Sequence, residues 1–287
     1  MQLAFSTNAF TNMTLPQAVE EIGRYGYDGV EILADAPHAF PPTSNALWVD
    51  EVKRKLHYYQ LEVSNINGNT ACGFFNDPTG EPTFEPSLCN AQPQIRQKRI
   101  DYAKQCIDLA VALGSSNISI TSGMCLPGNP PSQAFKYFAD SLLYITDYAE
   151  KHNINVGIEY EPGLLIENGE ELLQIIKEVG SNKLGANLDL GHAVVGGENV
   201  QNLIKKMEPY IWNIHLEDIH GYKHYHLIPG DGSINFREIL QNLQSIDYDR
   251  FITIELYTYV HQPIYATQRS IEFLKPIIDN IKGVNVS

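Results

Sequence analysis

Residues 155–192 read "NVGIEYEPGLLIENGEELLQIIKEVGSNKLGANLDLGH". Side chains alternate along a strand, so period two sorts each apolar run into faces. In 155–161, Val156, Ile158 and Tyr160 share one face, and Gly157, Glu159 and Glu161 share the other. In 184–190, Leu184, Ala186, Leu188 and Leu190 oppose Gly185, Asn187 and Asp189. Between the two runs, "NGEELLQIIKEVG" carries apolar residues at helical spacing. The stretch is one strand–helix–strand unit. Each of its strands presents an apolar face and a small or polar face, and an acid stands near each carboxyl end.

The same unit recurs along the chain. Further strand candidates are "QLAFS" (2–6), "GVEIL" (29–33), "EVSNIN" (62–67), "NISIT" (117–121), "WNIHLE" (212–217) and "FITIELY" (251–257). Helical patterns lie between them, including "LPQAVEEIGRYG", "QIRQKRIDYAKQCIDLAVALG", "AFKYFADSLLYITDYAEKHN", "NVQNLIKKMEP", "NFREILQNLQS" and "TQRSIEFLKPIIDNI". Strict alternation argues for a parallel sheet covered by helices. About eight units in 287 residues suit a single (β/α)8 TIM barrel over the whole of 1–287, with a doubly wound open sheet as the competing architecture. Residues 68–91 break the short-loop pattern and carry Phe74, Phe75 and Phe84, so a packed, lid-like loop is expected there.

Composition narrows the function classes. Hydrophobic residues make up 43% and charged residues 19%, ordinary values for a globular chain. A formal net charge of −14 repels a phosphate backbone, so no nucleic-acid partner is expected. No run is apolar enough to span a membrane, and the start "MQLAFSTNAF" has no signal-peptide pattern. Cys72, Cys89, Cys106 and Cys125 form no CxxC pair and read as reduced thiols of a cytoplasmic protein.

Barrel active sites sit at the carboxyl ends of the strands. Glu159, Asp189, His215 and Glu255 occupy that depth on the polar face of four strands and should converge. Buried together, such groups need a counter-charge. Their oxygen and nitrogen donors suit one divalent ion, Mn, Mg, Co or Zn, without choosing among them. The histidine-rich stretch "IWNIHLEDIHGYKHYHLIPGDG" (211–232) supplies His215 to that set. Its His226 is placed at the pocket rim, and its His220 and His224 read as loop residues. Asn8, Glu31, Asn67 and His226 are further pocket candidates, with pairing at the barrel floor as the other reading of Glu31. "PGDGS" suits either a phosphate-binding turn or a turn leading to a helix capped by Asn235 with Glu238. His38, His57, His152 and His261 read as surface or structural residues.

The segments "VGIEYEPG", "NLDLGH", "NIHLED", "ITIEL" and "YGYDGVEIL" resemble the strand motifs of the sugar isomerase/epimerase superfamily with a xylose-isomerase-like barrel. The resemblance implies a metal held by Glu159, Asp189, His215 and Glu255, a small sugar or polyol carbonyl substrate, and reaction through a cis-enediolate. It also implies Glu159 and Glu255 as the acid/base pair and His192 as a holder of a substrate oxygen. Glu161, also facing inward, departs from the ketose 3-epimerases, where an amide or His is common. A keto-cyclitol dehydratase would use the same site. His226 resembles a ligand position of the AP-endonuclease branch, a phosphodiesterase class with three zinc ions. That branch needs further histidines at strand ends that here read "NING" and "SITSG". A barrel that binds carbohydrate without turnover is the remaining class; it would not need the matched Glu159 and Glu255. Barrels of this superfamily often associate, so a homo-oligomer is an open expectation.

Overall fold

The computed structural model describes residues 1–44, 46–75 and 84–283. Eight parallel strands close into a barrel in the order β1, β10, β7, β6, β5, β4, β3, β2. They are β1 (Gln2–Ser6), β2 (Gly29–Leu33), β3 (Glu62–Asn67), β4 (Asn117–Ile120), β5 (Asn155–Ile158), β6 (Leu184–Asp189), β7 (Ile211–Leu216) and β10 (Phe251–Ile254). A separate antiparallel hairpin, β8 (Asp218–His220) with β9 (Lys223–Leu227), follows β7. The helices are α1 (Leu15–Arg24), α2 (Ala46–Tyr59), α3 (Pro93–Leu113), α4 (Pro131–His152), α5 (Gly169–Val179), α6 (Leu190–Val195), α7 (Val200–Met207), α8 (Phe236–Ser245) and α9 (Pro263–Gly283). None of the described helices is long and apolar enough to cross a membrane.

The sequence positions all eight barrel strands to within a few residues. It passes over α2, the short α6 and the hairpin. Local chemistry explains many of the helix ends. Thr14 and Gln17 form a capping box on α1, and Asn168 caps α5 by accepting from Glu171 N–H. Gly114 and Gly180 close α3 and α5 in the left-handed conformation. Asn235 caps α8 by accepting from Glu238 N–H at 3.3 Å, so the capping reading of this turn holds.

Apolar outward faces pack against the helices: Val156, Ile158, Leu188, Ile214 and Ile254 are fully buried. The inward faces meet across the barrel. At Gly157 an added Cβ would stand 2.7 Å from the backbone nitrogen of Asn187, so only glycine lets β5 and β6 approach this closely. Register then sets the polar ends level. Asp189 on β6 pairs with His215 on β7, and Glu31 on β2 pairs with Ser6 on β1 and Asn65 on β3.

The lid expectation at 68–91 falls in part, at 76–83, outside the described residues. On either side of that gap the chain is packed. Asp35 accepts from Thr70 Oγ1 and from the Cys72 and Gly73 amides, each at 2.7 Å. Arg99 donates to the Gly68 and Asn69 carbonyls at 2.6 and 2.7 Å. Phe74 stacks edge-on against Phe40 and Tyr102.

Candidate active site

Glu159 and Glu255 stand one residue beyond the paired parts of β5 and β10, still held by the sheet through Glu159 N–H to Ile120 O (2.9 Å) and Glu255 N–H to Leu216 O (3.2 Å). Asp189 ends β6 and caps α6, accepting from His192 N–H at 2.8 Å. With His215, these residues each bring one donor atom to within 4.8 Å of all the others. The four positions that period two selected therefore do converge.

His215 fixes the polarity of this cluster. Its Nε2 lies 2.6 Å from Glu31 Oε2. An ionised carboxylate only accepts, so Nε2 carries the hydrogen. The other nitrogen, Nδ1, points inward, 2.9 Å from Glu159 Oε2 and 3.6 Å from Glu255 Oε2, with no aligned hydrogen bond. In neutral imidazole that atom bears a lone pair. A lone pair facing two carboxylates, all of it buried, demands a positive charge between them. Asp189 Oδ2 is likewise buried without a hydrogen-bond partner. The residues present fit a divalent cation. Burial opposes protonation of His215, but Glu159, Glu31 and Glu255 hold its pKa well above the ordinary value.

Amides fix the carboxylates. Asn8 and Asn67 both donate to Glu255 Oε1, at 2.9 and 3.1 Å. Asn187 donates to Glu159 Oε2. Beneath it, Asn213 donates to Asn187 Oδ1 at 2.7 Å, and Thr253 to Asn213 Oδ1 at 3.1 Å, so a polar column rises through the barrel to Glu159. Glu31 accepts from Asn65 at 2.8 Å and from Asn67 at 3.1 Å. Burial works against its charge, but His215 and those amides keep its pKa below the usual value. Glu31 is therefore not a pocket residue, as one reading of the sequence had it. It sits fully buried behind His215, because barrel closure brings β2 against that ring.

Above the cluster lies a cavity of about 450 Å³, the size of a small-molecule site. Asn8, Asn67, Glu161, His192 and His226 line it together with Glu159 and Glu255. His192 gives Nδ1 to Tyr160 O at 2.7 Å, which turns Nε2 to 3.7 Å from Asp189 Oδ2. Burial opposes its protonation, but Asp189, Glu159 and Glu161 raise its pKa. Burial, then the Glu159 and Asp189 charges, push Glu161 up to about 7.

Two residues of the site were passed over. His224 is not a plain loop residue. The alternation in "KHYHL" puts it on the same side of β9 as His226, and its ring stands 4.6 Å from that of His192 and 4.2 Å from that of His226. These three histidines form a second group able to hold a cation. Burial lowers the pKa of His224 and takes that of His226 down to about 3. Glu217, on the inward face with His215, is fully buried behind Asp189. Its Oε1 would lie only 1.6 Å from a Cβ added at Gly191, which explains the glycine of "DLGH". Burial first, then the Asp189 and Glu255 charges, hold its carboxyl far above the usual range.

The hairpin itself is pinned by Asp218. Its carboxylate accepts from the amides of Ile219, Gly230, Gly232 and Ile234, at 2.8–3.0 Å. The "PGDGS" turn thus spends its amides on an internal anion, which removes the phosphate reading of that turn.

The sequence model of the xylose isomerase-like TIM barrel family matches residues 19–277. This chain belongs to that family. It is 25% identical over 274 residues to fructoselysine 3-epimerase of Shigella flexneri, covering 93% of this chain and 95% of the relative. Among solved structures, a D-tagatose 3-epimerase-like protein superposes with a TM-score of 0.82 at 24% identity over 100% of both chains. The IOLI protein with a bound zinc atom superposes at 0.78 and 18% identity, over 98% of this chain and 99% of that one. These likenesses agree with the closed barrel.

Proposed function

We propose that the protein is a divalent-metal-dependent epimerase or isomerase of a small polyhydroxy ketone. The observation that carries this reading is the pairing of Glu159 and Glu255 across one buried cluster with Asp189 and His215, open to a cavity on one side. Glu159, Asp189, His215 and Glu255 would hold the divalent ion, which would supply Lewis acidity to a substrate carbonyl. The rest is done by the chain. One glutamate accepts the proton alpha to the carbonyl, leaving an enediolate, and the other returns a proton to the opposite face. The amides of Asn8 and Asn67 on Glu255, and of Asn187 on Glu159, keep the two carboxylates from swinging away. His192, fixed by Tyr160 O, offers Nε2 to a substrate oxygen. The fructoselysine 3-epimerase relative supports this chemistry. The nuclease reading loses ground at β3, whose end carries Asn67, an amide donor to Glu31 and Glu255, where that class needs a histidine.

The shared step is tested by NMR. Enzyme loaded with Mn, Mg, Co or Zn is incubated in deuterated solvent with ketoses and inososes. Loss of a carbonyl-adjacent proton signal is expected, with epimer formation; water loss would instead mark a dehydratase. No exchange with any compound would overturn the reading. Elemental analysis separates the nuclease class, which requires more than one tightly bound zinc.

A further inference from the structure

We infer that Glu198, which does not line the cavity, is a positioning residue that holds the ring of His192 in place by gripping Tyr160. This rests on the reading of His192 as the holder of a substrate oxygen, and it names what keeps that ring aimed. The ring gives Nδ1–H to Tyr160 O at 2.7 Å. A carbonyl oxygen only accepts, so the hydrogen sits on Nδ1, and the direction of Nε2 follows the direction of one peptide carbonyl. That peptide lies beyond the end of β5 at Ile158. Its own N–H, on Glu161, reaches Ile166 O at 3.3 Å, at the long end of the range for such bonds. The backbone alone gives this carbonyl weak support.

The Tyr160 side chain supplies the rest. It is buried, and its hydroxyl donates to Glu198 Oε1 at 2.6 Å. Period two sends it away from the cavity while its neighbours Glu159 and Glu161 line that cavity. Glu198 is itself fixed from two sides. Gly169, the first residue of α5, donates its N–H to Glu198 Oε2 at 3.1 Å, where the positive end of the helix favours an anion. The turn after α6 ties Glu198 N–H to Ala193 O at 2.9 Å and Gly196 N–H to His192 O at 2.8 Å. His192 and Glu198 therefore ride on one short, hydrogen-bonded segment. Tyr160 bridges its two ends, with its carbonyl on His192 and its hydroxyl on Glu198. A closed ring of contacts resists rotation; opened at Glu198, it leaves the Tyr160 side chain and the carbonyl behind it free to turn. Glu198 is not among the four residues that gather at the metal position, so its influence falls on the substrate side of the site.

NMR of the zinc-loaded protein, isotopically labelled at histidine nitrogen, tests the inference. The unaltered protein is compared with Tyr160→Phe, Glu198→Ala and Glu198→Gln. Tyr160→Phe deletes a single oxygen and keeps the packing of the ring, so it reports even where Glu198→Ala fails to fold. The Nδ1–H signal of His192, identified by its loss in His192→Gln, should be protected from solvent in the unaltered protein. It should broaden or vanish in Tyr160→Phe and Glu198→Ala, and survive in Glu198→Gln, whose amide oxygen still accepts from the Tyr160 hydroxyl. For a ketose that exchanges its proton, kcat/KM should fall about tenfold in the first two variants, the low end for loss of such a support, while zinc affinity in competition with a chelator holds. An unchanged His192 signal in folded Tyr160→Phe would overturn the inference. So would a loss of zinc affinity as large as the loss of kcat/KM, which would make Tyr160 a support of Glu159 instead. The histidine signal needs no substrate. Absence of exchange on every ketose would sink the functional reading and leave this inference to the NMR result, whereas exchange with an unmoved signal would sink this inference alone.

Discussion

Glu31 Oε2 lies 2.6 Å from His215 Nε2, with both side chains removed from solvent. That contact decides which nitrogen of His215 faces the site, and it makes a carboxylate on β2 a determinant of a cluster built from β5, β6, β7 and β10. Glu31→Gln keeps the shape but turns a neutral amide towards His215 and towards the Asn65 and Asn67 donors. Metal affinity should fall about 10- to 100-fold, the usual result of removing such a support, while the circular dichroism spectrum is retained. Competition with a chelator measures it. Unchanged affinity would show that His215 needs no help in choosing its tautomer.

Glu255→Gln addresses the chemistry itself. The amide can still receive one hydrogen bond from Asn8 or Asn67 but cannot take up a proton. Exchange should fall by roughly 10²- to 10⁴-fold, the range for a positioned acid or base, and metal binding should weaken as well. Glu159→Gln should behave alike. Full activity in either variant would remove that residue from the mechanism.

Asp218→Ala should separate pocket from metal. It strips one acceptor from four backbone amides, Ile219, Gly230, Gly232 and Ile234. An unfolding free energy lower by about 2 kcal/mol or more is expected from buried donors left unpaired. Because the hairpin carries His224 and His226 and no member of the Glu159 cluster, KM should rise while metal affinity holds. Equal losses in both would show that the two parts are mechanically joined.

His38 gives a pH signature away from the cluster. Its Nε2 lies 3.2 Å from both Phe10 O and Met13 O. Burial lowers its pKa from the ordinary 6.5, although those carbonyls pull the other way. The unfolded chain then takes up a proton at 6.5 that the folded chain refuses until lower pH. This contribution to stability is complete above 6.5 and is lost as pH falls from 6.5 towards the folded value. Between pH 8 and 5.5, urea midpoints of the unaltered protein should drop further than those of His38→Gln. Parallel drops would mean that His38 titrates normally.

The barrel was legible because two periodicities alternate and because inward acids recur at one depth. Glu159, Asp189, His215 and Glu255 each sit where the strand pattern ends, so their convergence followed once the sheet was closed. What was hidden depends on which inward residues meet. Glu31 belongs to the same inward set as the pocket residues, and only the closure of β2 against β3 and across to His215 sends it behind the ring. Glu217 carried the right parity but lay next to a stronger candidate. His224 was masked by the "IHGYK" turn, which reads as loop until the pairing of Asp218 with Leu227 makes a hairpin of it.

The Asp218 clamp has an evolutionary side. A two-stranded flap whose own amides converge on one internal carboxylate, and which meets the Glu159 cluster through His226 and the Glu255 carbonyl, is a self-contained part. Sequence drift or recombination confined to 218–234 can redraw what the enzyme admits while inheriting its reactive floor intact. Exchanging this flap between relatives would change the cavity wall that carries His224 and His226 and leave Glu159, Asp189, His215 and Glu255 unaltered.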